Sequence, residues 1–129
     1  LEVNKKLKIK SCESLFNKNS KHLHTTSLVK YPVFDKGKNY SGSNILKKKM
    51  LIQFIEKNFL KELKTLKKAI IIPLGNTVSS TIEYLNSKYN LKLTCFLKGF
   101  PHPSGANARK NIQFKENRSS MMKLLKSNK

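Results

Sequence analysis

The sequence predicts an α/β fold: helices on both faces of a short, mostly parallel sheet, three layers in all, with the first strand of the sheet absent. Two observations predict it. Short, uninterrupted apolar runs, "AIIIPL" (69–74) and "LKLTCFL" (91–97), read as buried parallel strands, while the segments between and after them carry the 3.6-residue apolar period of helices. Strand, helix, strand, helix, strand, helix then implies right-handed crossovers within one layered domain.

Residues 1–21, "LEVNKKLKIKSCESLFNKNSK", are basic, with only Leu7, Ile9, Leu15 and Phe16 to bury. They read as an N-terminal arm or remnant: a short helix, a strand or a frayed tail, outside the α/β domain of 22–129. "HLHTTSLVKYPV" (22–33) is β-rich and ends at Pro32, which cannot donate to a ladder. "FDKGKNYSGSN" (34–44) is a loop with two glycines. Ile45, Met50, Leu51, Phe54, Ile55, Phe59, Leu63 and Leu66 share one side of an amphipathic helix capped by Ser43 or Asn44. After the strand at 69–74, Gly75 and Asn76 turn the chain into a second helix with Val78, Ile82 and Leu85 on one face. The strand at 91–97 leads into a proline-rich loop, and a last helix is expected from about Ala108 to Leu125.

Loops at the carboxyl ends of parallel strands gather on one rim. Three are expected there: the loop after Lys30, the Gly75 turn and "FPHPSGANAR" (100–109). In the last, Pro101 and Pro103 restrict their own φ and push Phe100 and His102 toward extended backbone. Gly105 can take a positive φ and lets another backbone approach closely. His102 is therefore positioned by backbone restriction, as a donor to developing negative charge must be. Ser104, the following amides and the helix N-terminus suit a phosphate, with Arg109 in the first helical turn.

Among the 129 residues, 27 Lys and Arg stand against 7 Asp and Glu, a net charge of +20. A polyanion is the expected partner, with DNA first. Only Arg109 and Arg118 are arginine; a codon bias toward AT-rich sequence yields the same lysine excess without selection for binding. Cys12 and Cys95 lie far apart with no CxxC context, which predicts a reduced, intracellular protein without cofactor or metal. His22 and His24 lack a third ligand. No apolar run is long enough to span a membrane, and a monomer is expected. Leu1 in place of Met suggests a fragment.

"HPS" after a short apolar strand and before a helix resembles the second active-site motif of the uracil-DNA glycosylase superfamily. "TTSLVKYP", then a loop, a long amphipathic helix and "AIIIPLGNTVSSTIEYL", is similar to that superfamily's order of a "TN.vk.rPP"-like strand, a helix, an "LG" strand end and a further helix. The resemblance covers about residues 22–125. It implies a hydrolase of base-excision repair that flips uracil or a related base out of DNA and cleaves its N-glycosidic bond. It implies that His102 bonds the uracil O2 and stabilises the departing anion. It implies, too, that Pro103 and Ser104 contact the DNA backbone near the flipped nucleotide and that Gly105, Ala106 and Asn107 approach the minor groove. Ser27, or Thr26, stands where relatives carry the Asn that reads uracil, and a hydroxyl lacks the bidentate amide pattern.

Two further departures stand out. The first motif, with its water-positioning acid or amide beside glycine and proline, is not visible in residues 1–22, where Glu13 has neither neighbour. "SGAN" offers small residues where many relatives insert a bulky Leu. The absence of four clustered cysteines excludes the iron–sulfur branch. The missing motif lies upstream of Leu1 or was never present; in the second case the chain is a non-catalytic basic nucleic-acid-binding module. Gly75, Asn76, Arg109 and Lys38, the last with Tyr40 and Ser41, are further expected phosphate contacts. Asp35 is read as a turn former.

Overall fold

The computed structural model describes residues 1–128. Its elements are α1 (Val3–Lys6), β1 (Phe34–Asp35), β2 (Lys38–Asn39), α2 (Lys49–Lys57), α3 (Phe59–Thr65), β3 (Ile70–Ile71), α4 (Asn76–Tyr89), β4 (Cys95–Phe96) and α5 (Lys110–Ser127), with one 3-10 turn before α2 and two in the N-terminal region. The fold is a small α/β arrangement with two two-stranded sheets, β1–β2 antiparallel and β3–β4 parallel.

The parallel pair joins Ile70 to Cys95 and Ile71 to Phe96. It is shorter than the two apolar runs that predict it, for backbone reasons. Pro73 has no amide to continue β3, and Asn90 and Lys92 take positive φ (47° and 54°), which breaks extension ahead of β4. Alternation along the pair separates two apolar clusters. Ile71 and Phe96 pack with Ile55, Phe59, Leu63, Ile82 and Leu85 from α2, α3 and α4. Ile70, Ile72, Cys95 and Leu97 pack instead with Met121 and Leu125 of α5, joined by Leu1 and Val3. A period-two strand with helices over both its faces gives this division.

Several expectations are corrected. Residues 23–33 form no strand. Leu28 and Val29 dock their side chains on the first cluster, and the polar residues around them turn to α3. The segment is held by side chains, not by a ladder. The single helix expected over 44–66 divides into α2 and α3 at Asn58 (φ −112°, ψ −68°), whose side-chain amide donates to the Phe54 carbonyl at 2.9 Å. An Asn that bonds its own preceding turn competes with the helical ladder. Asn44 stands ahead of the 3-10 turn in the left-handed region (φ 55°) and caps nothing with its side chain. Residues 34–44, read as a plain loop, contain the β1–β2 hairpin. Phe16 is exposed, whereas Leu15 is buried.

Candidate nucleic-acid interface

The Gly75 turn and the 100–109 loop come together. The Gly75 amide donates to the Phe100 carbonyl at 3.0 Å, which continues the parallel pairing beyond the strands. Gly75 has φ 97° and ψ 166°, a conformation essentially reserved for glycine. A Cβ at this position would lie 3.0 Å from His102 Cβ and 3.2 Å from Cδ2. The glycine hydrogen is thus the seat on which the imidazole rests.

Backbone bonds within the loop fix the ring's chemistry. The Ser104 amide donates to His102 Nδ1 at 3.2 Å. A neutral ring accepting there carries its hydrogen on Nε2, the nitrogen next to the Cδ2 that lies over Gly75. His102 as a whole is exposed, and among the described residues no hydrogen bond engages Nε2. Gly75 is also the residue that precedes α4, and no side chain caps that terminus. The first amides of a helix have no intrahelical partner, and their dipole favours negative charge.

The loop is held by its own Asn107 and by the amide side chains of Gln113 and Asn117 on α5. Asn107 Nδ2 donates to the His102 carbonyl (3.1 Å) and to Gln113 Oε1 (3.0 Å). Asn117 Nδ2 donates to the Gly99 carbonyl (3.1 Å) and to the Gln113 carbonyl (3.0 Å). Gly99 has φ 100°, and a Cβ there would sit 2.9 Å from Asn117 Cγ. Phe100 packs edge-to-face on Phe114 at 5.6 Å. Gly75, Gly99, Gln113 and Asn117 are thus site residues in their own right. Gln113 and Asn117 left a signal, two amides four residues apart on a helix face that also carries Phe114.

Other expected parts of the site stand differently. Gly105 has no positive φ, and nothing approaches within 4 Å of where its Cβ would be; the left-handed positions are Gly75 and Gly99. The phosphate cradle is closed in this conformation, since the loop uses its own amides. Ala106 N–H donates to Ser104 Oγ, Asn107 N–H to the Ser104 carbonyl and Ala108 N–H to the Ala106 carbonyl. Arg109 precedes α5 at φ −92° instead of lying in its first turn, and its side chain is exposed. Lys110 reaches back to the Pro103 carbonyl at 3.4 Å.

Thr26 and Ser27 are exposed, and among the described residues no hydrogen bond joins either to the rim loop. Their segment is tied to α3 through Glu62, which pairs with His24 Nε2 at 2.5 Å and Lys30 Nζ at 2.9 Å. The His24 hydrogen bond first, then those from Lys30 and Thr26, hold the Glu62 carboxyl down at about 2 against an ordinary 4.5. Gly42, in the loop after the hairpin, faces Thr77 near the start of α4 (3.8 Å to Thr77 Cγ2 from its Cβ position), so the 40–44 loop does border the rim. Lys38 itself is on β2 and exposed. Asp35, read as a turn former, pairs with Lys48 at 3.1 Å.

Among the described residues no ion pair joins a carboxylate to the 100–109 loop. The ion pairs are Glu2–Lys5, Asp35–Lys48, Glu56–Lys88, Glu62 with His24 and Lys30, and Glu83–Lys98. Among those residues, no three His, Cys, Asp or Glu cluster as metal ligands. No helix there is long and apolar enough to cross a membrane.

No family model matches the sequence, and no solved structure matches it. The chain is similar to the uncharacterized protein YoxB of Bacillus subtilis (strain 168), with 37% identity over 122 residues, which take in 92% of this chain and 48% of YoxB. The chain therefore spans about half the length of the curated relative it matches.

Proposed function

We propose that the chain belongs to a uracil-DNA glycosylase-like protein, a three-layer α/β/α fold whose rim binds DNA and presents His102 to a flipped pyrimidine. The observation that carries this reading is the imidazole seated on Gly75, ahead of α4, with Nδ1 accepting from the Ser104 amide, which leaves Nε2 as the ring's donor in the neutral form. The two apolar clusters on either side of β3–β4 support the layered architecture.

As an N-glycosidic bond breaks, its electron pair passes to the base and negative charge accumulates on the pyrimidine oxygens. A fixed N–H donor meets that charge without reorganising, and losing one such donor costs about 2.7–4 kcal/mol in known sites. The uncapped α4 terminus acts in the same direction. Pro103, Ser104, Gly105, Asn107, Arg109, Gly75 and Asn76 would border the DNA backbone, and Thr26 or Ser27 would touch the base. Binding phosphate at Ser104 requires the loop to exchange its internal bonds for bonds to DNA.

A second reading, a non-catalytic basic module on the same fold, is favoured by a specific observation: among the described residues no carboxylate ion-pairs with His102 or with any other residue of the 100–109 loop. One experiment separates the two. A uracil-containing duplex is incubated with the chain and, in parallel, with YoxB, and free base is measured. The enzymatic reading expects uracil release that falls about 100- to 1,000-fold in His102→Ala, the loss typical of one such donor. Equal binding of uracil and thymine DNA with no base released by either protein leaves the binding module.

A further inference from the structure

We infer that the β1–β2 hairpin and the start of α2 form a binding surface for single-stranded nucleic acid, which adjoins the rim at the 40–44 loop and does not include His102. The hairpin pairs Phe34 with Asn39 and Asp35 with Lys38, around a turn in which Lys36 and Gly37 both have positive φ (51° and 74°). This two-residue turn matches the twist of its strands and makes a firm projection. Lys48, just ahead of α2, pairs with Asp35 at 3.1 Å and lies over the Tyr40 ring at 5.8 Å, so hairpin and helix start are joined. One turn into α2, Phe54 meets Tyr31 edge-to-face at 5.9 Å.

Three large apolar side chains stay in solvent around this junction: Tyr31 is 69% exposed, Phe34 65% and Met50 81%. Lysines surround them. Lys48 offsets the charge of Asp35, while Lys36, Lys38, Lys47 and Lys49 have no carboxylate partner among the described residues. Exposed rings set among unpaired cations are what an unstacked strand needs, because bases stack on the rings while phosphates meet the lysines. Beside them opens a pocket of about 270 Å³ lined by Asp35, Asn39, Tyr40, Ser41, Asn44 and Lys48. Its lining offers hydrogen bonds to a base edge.

The other occupants fit less well. A second copy would bring together two molecules of net charge +20. Acyl chains gain nothing from a pocket lined by carboxylate, amide and hydroxyl groups.

The test is fluorescence anisotropy of a labelled dT15 strand and of a matched duplex with the full chain, alongside co-sedimentation with phosphatidylglycerol vesicles. The expected result is tighter binding of the strand than of the duplex. Phe34→Ala should weaken strand binding by about 5- to 150-fold, as for loss of one stacked base. Lys36→Ala with Lys38→Ala should reduce the slope of log K against log salt by about 1.4. Phe34 is exposed, so its replacement leaves the core intact. Unchanged strand affinity in Phe34→Ala overturns the inference, as does vesicle binding without strand binding. Base release has no part in this readout, so the inference stands or falls independently of His102.

Discussion

Gly75 does at one position what two residues usually share: it turns the chain out of β3 into α4 and leaves room for a side chain from another loop. Its alanine variant must hold a glycine-only conformation, at a cost of order 1–3 kcal/mol. Its new methyl would also press on His102 at 3.0 Å. Gly75→Ala should therefore lower the melting temperature and displace the imidazole, read as a changed His102 ring resonance by NMR. An unchanged resonance would mean that the ring is not seated there. Asn117→Ala removes both bonds from Nδ2 and leaves the Gly99 carbonyl short of a donor, a loss of about 1–3 kcal/mol. Thermal unfolding measures it, and Asn117→Asp, which keeps the size but not the donor, should not restore stability.

Among the elements, the 22–30 segment shows how side chains take the place of a ladder. Its anchor is Glu62, whose carboxyl is held near 2 in the folded protein against 4.5 when free. The unfolded chain thus binds more protons between those values, and stability should fall as pH drops from about 4.5 toward 2. Above that window the contribution is complete. Glu62→Gln should reduce stability at neutral pH and flatten this acid limb, as followed by circular dichroism; an unaltered limb would assign the acid loss elsewhere. The same segment marks a limit of sequence reading. β-Branched residues ending in Pro32 read as a strand because composition reports propensity, and propensity does not say whether a partner edge exists. By contrast, α4 and α5 and the parallel pairing of β3 with β4 were legible, because apolar period and run length report burial directly. The break at Asn58 and the β1–β2 hairpin were missed. The first depends on one amide bonding its own turn; the second on two successive positive-φ residues, the Lys36-Gly37 step.

For the whole molecule, charge dominates. A net +20 on a chain of this length repels itself, and salt should relieve that. The melting temperature should rise between 20 and 200 mM KCl as the screening length falls through about 10 Å near 0.1 M. A flat response would mean that the lysines are spaced widely enough not to repel one another. At this scale the candidate site was half legible. The meeting of the 100–109 loop with the Gly75 turn follows from parallel topology, so His102 and Gly75 were foreseeable together. The loop's internal use of its amides and the positions of Thr26 and Ser27 depend on tertiary contacts that no local pattern carries.

The two side-chain amides of α5 that grip the loop have a dynamic consequence. They make the imidazole a passenger of the C-terminal helix, on the opposite side of the ladder from the helices that frame the other half of the rim. In hydrogen exchange, the amides of Ser104 and Asn107 should therefore open together with α5, while the start of α4 keeps a slower clock. A ligand that steadies α5 would then quiet the histidine without touching it.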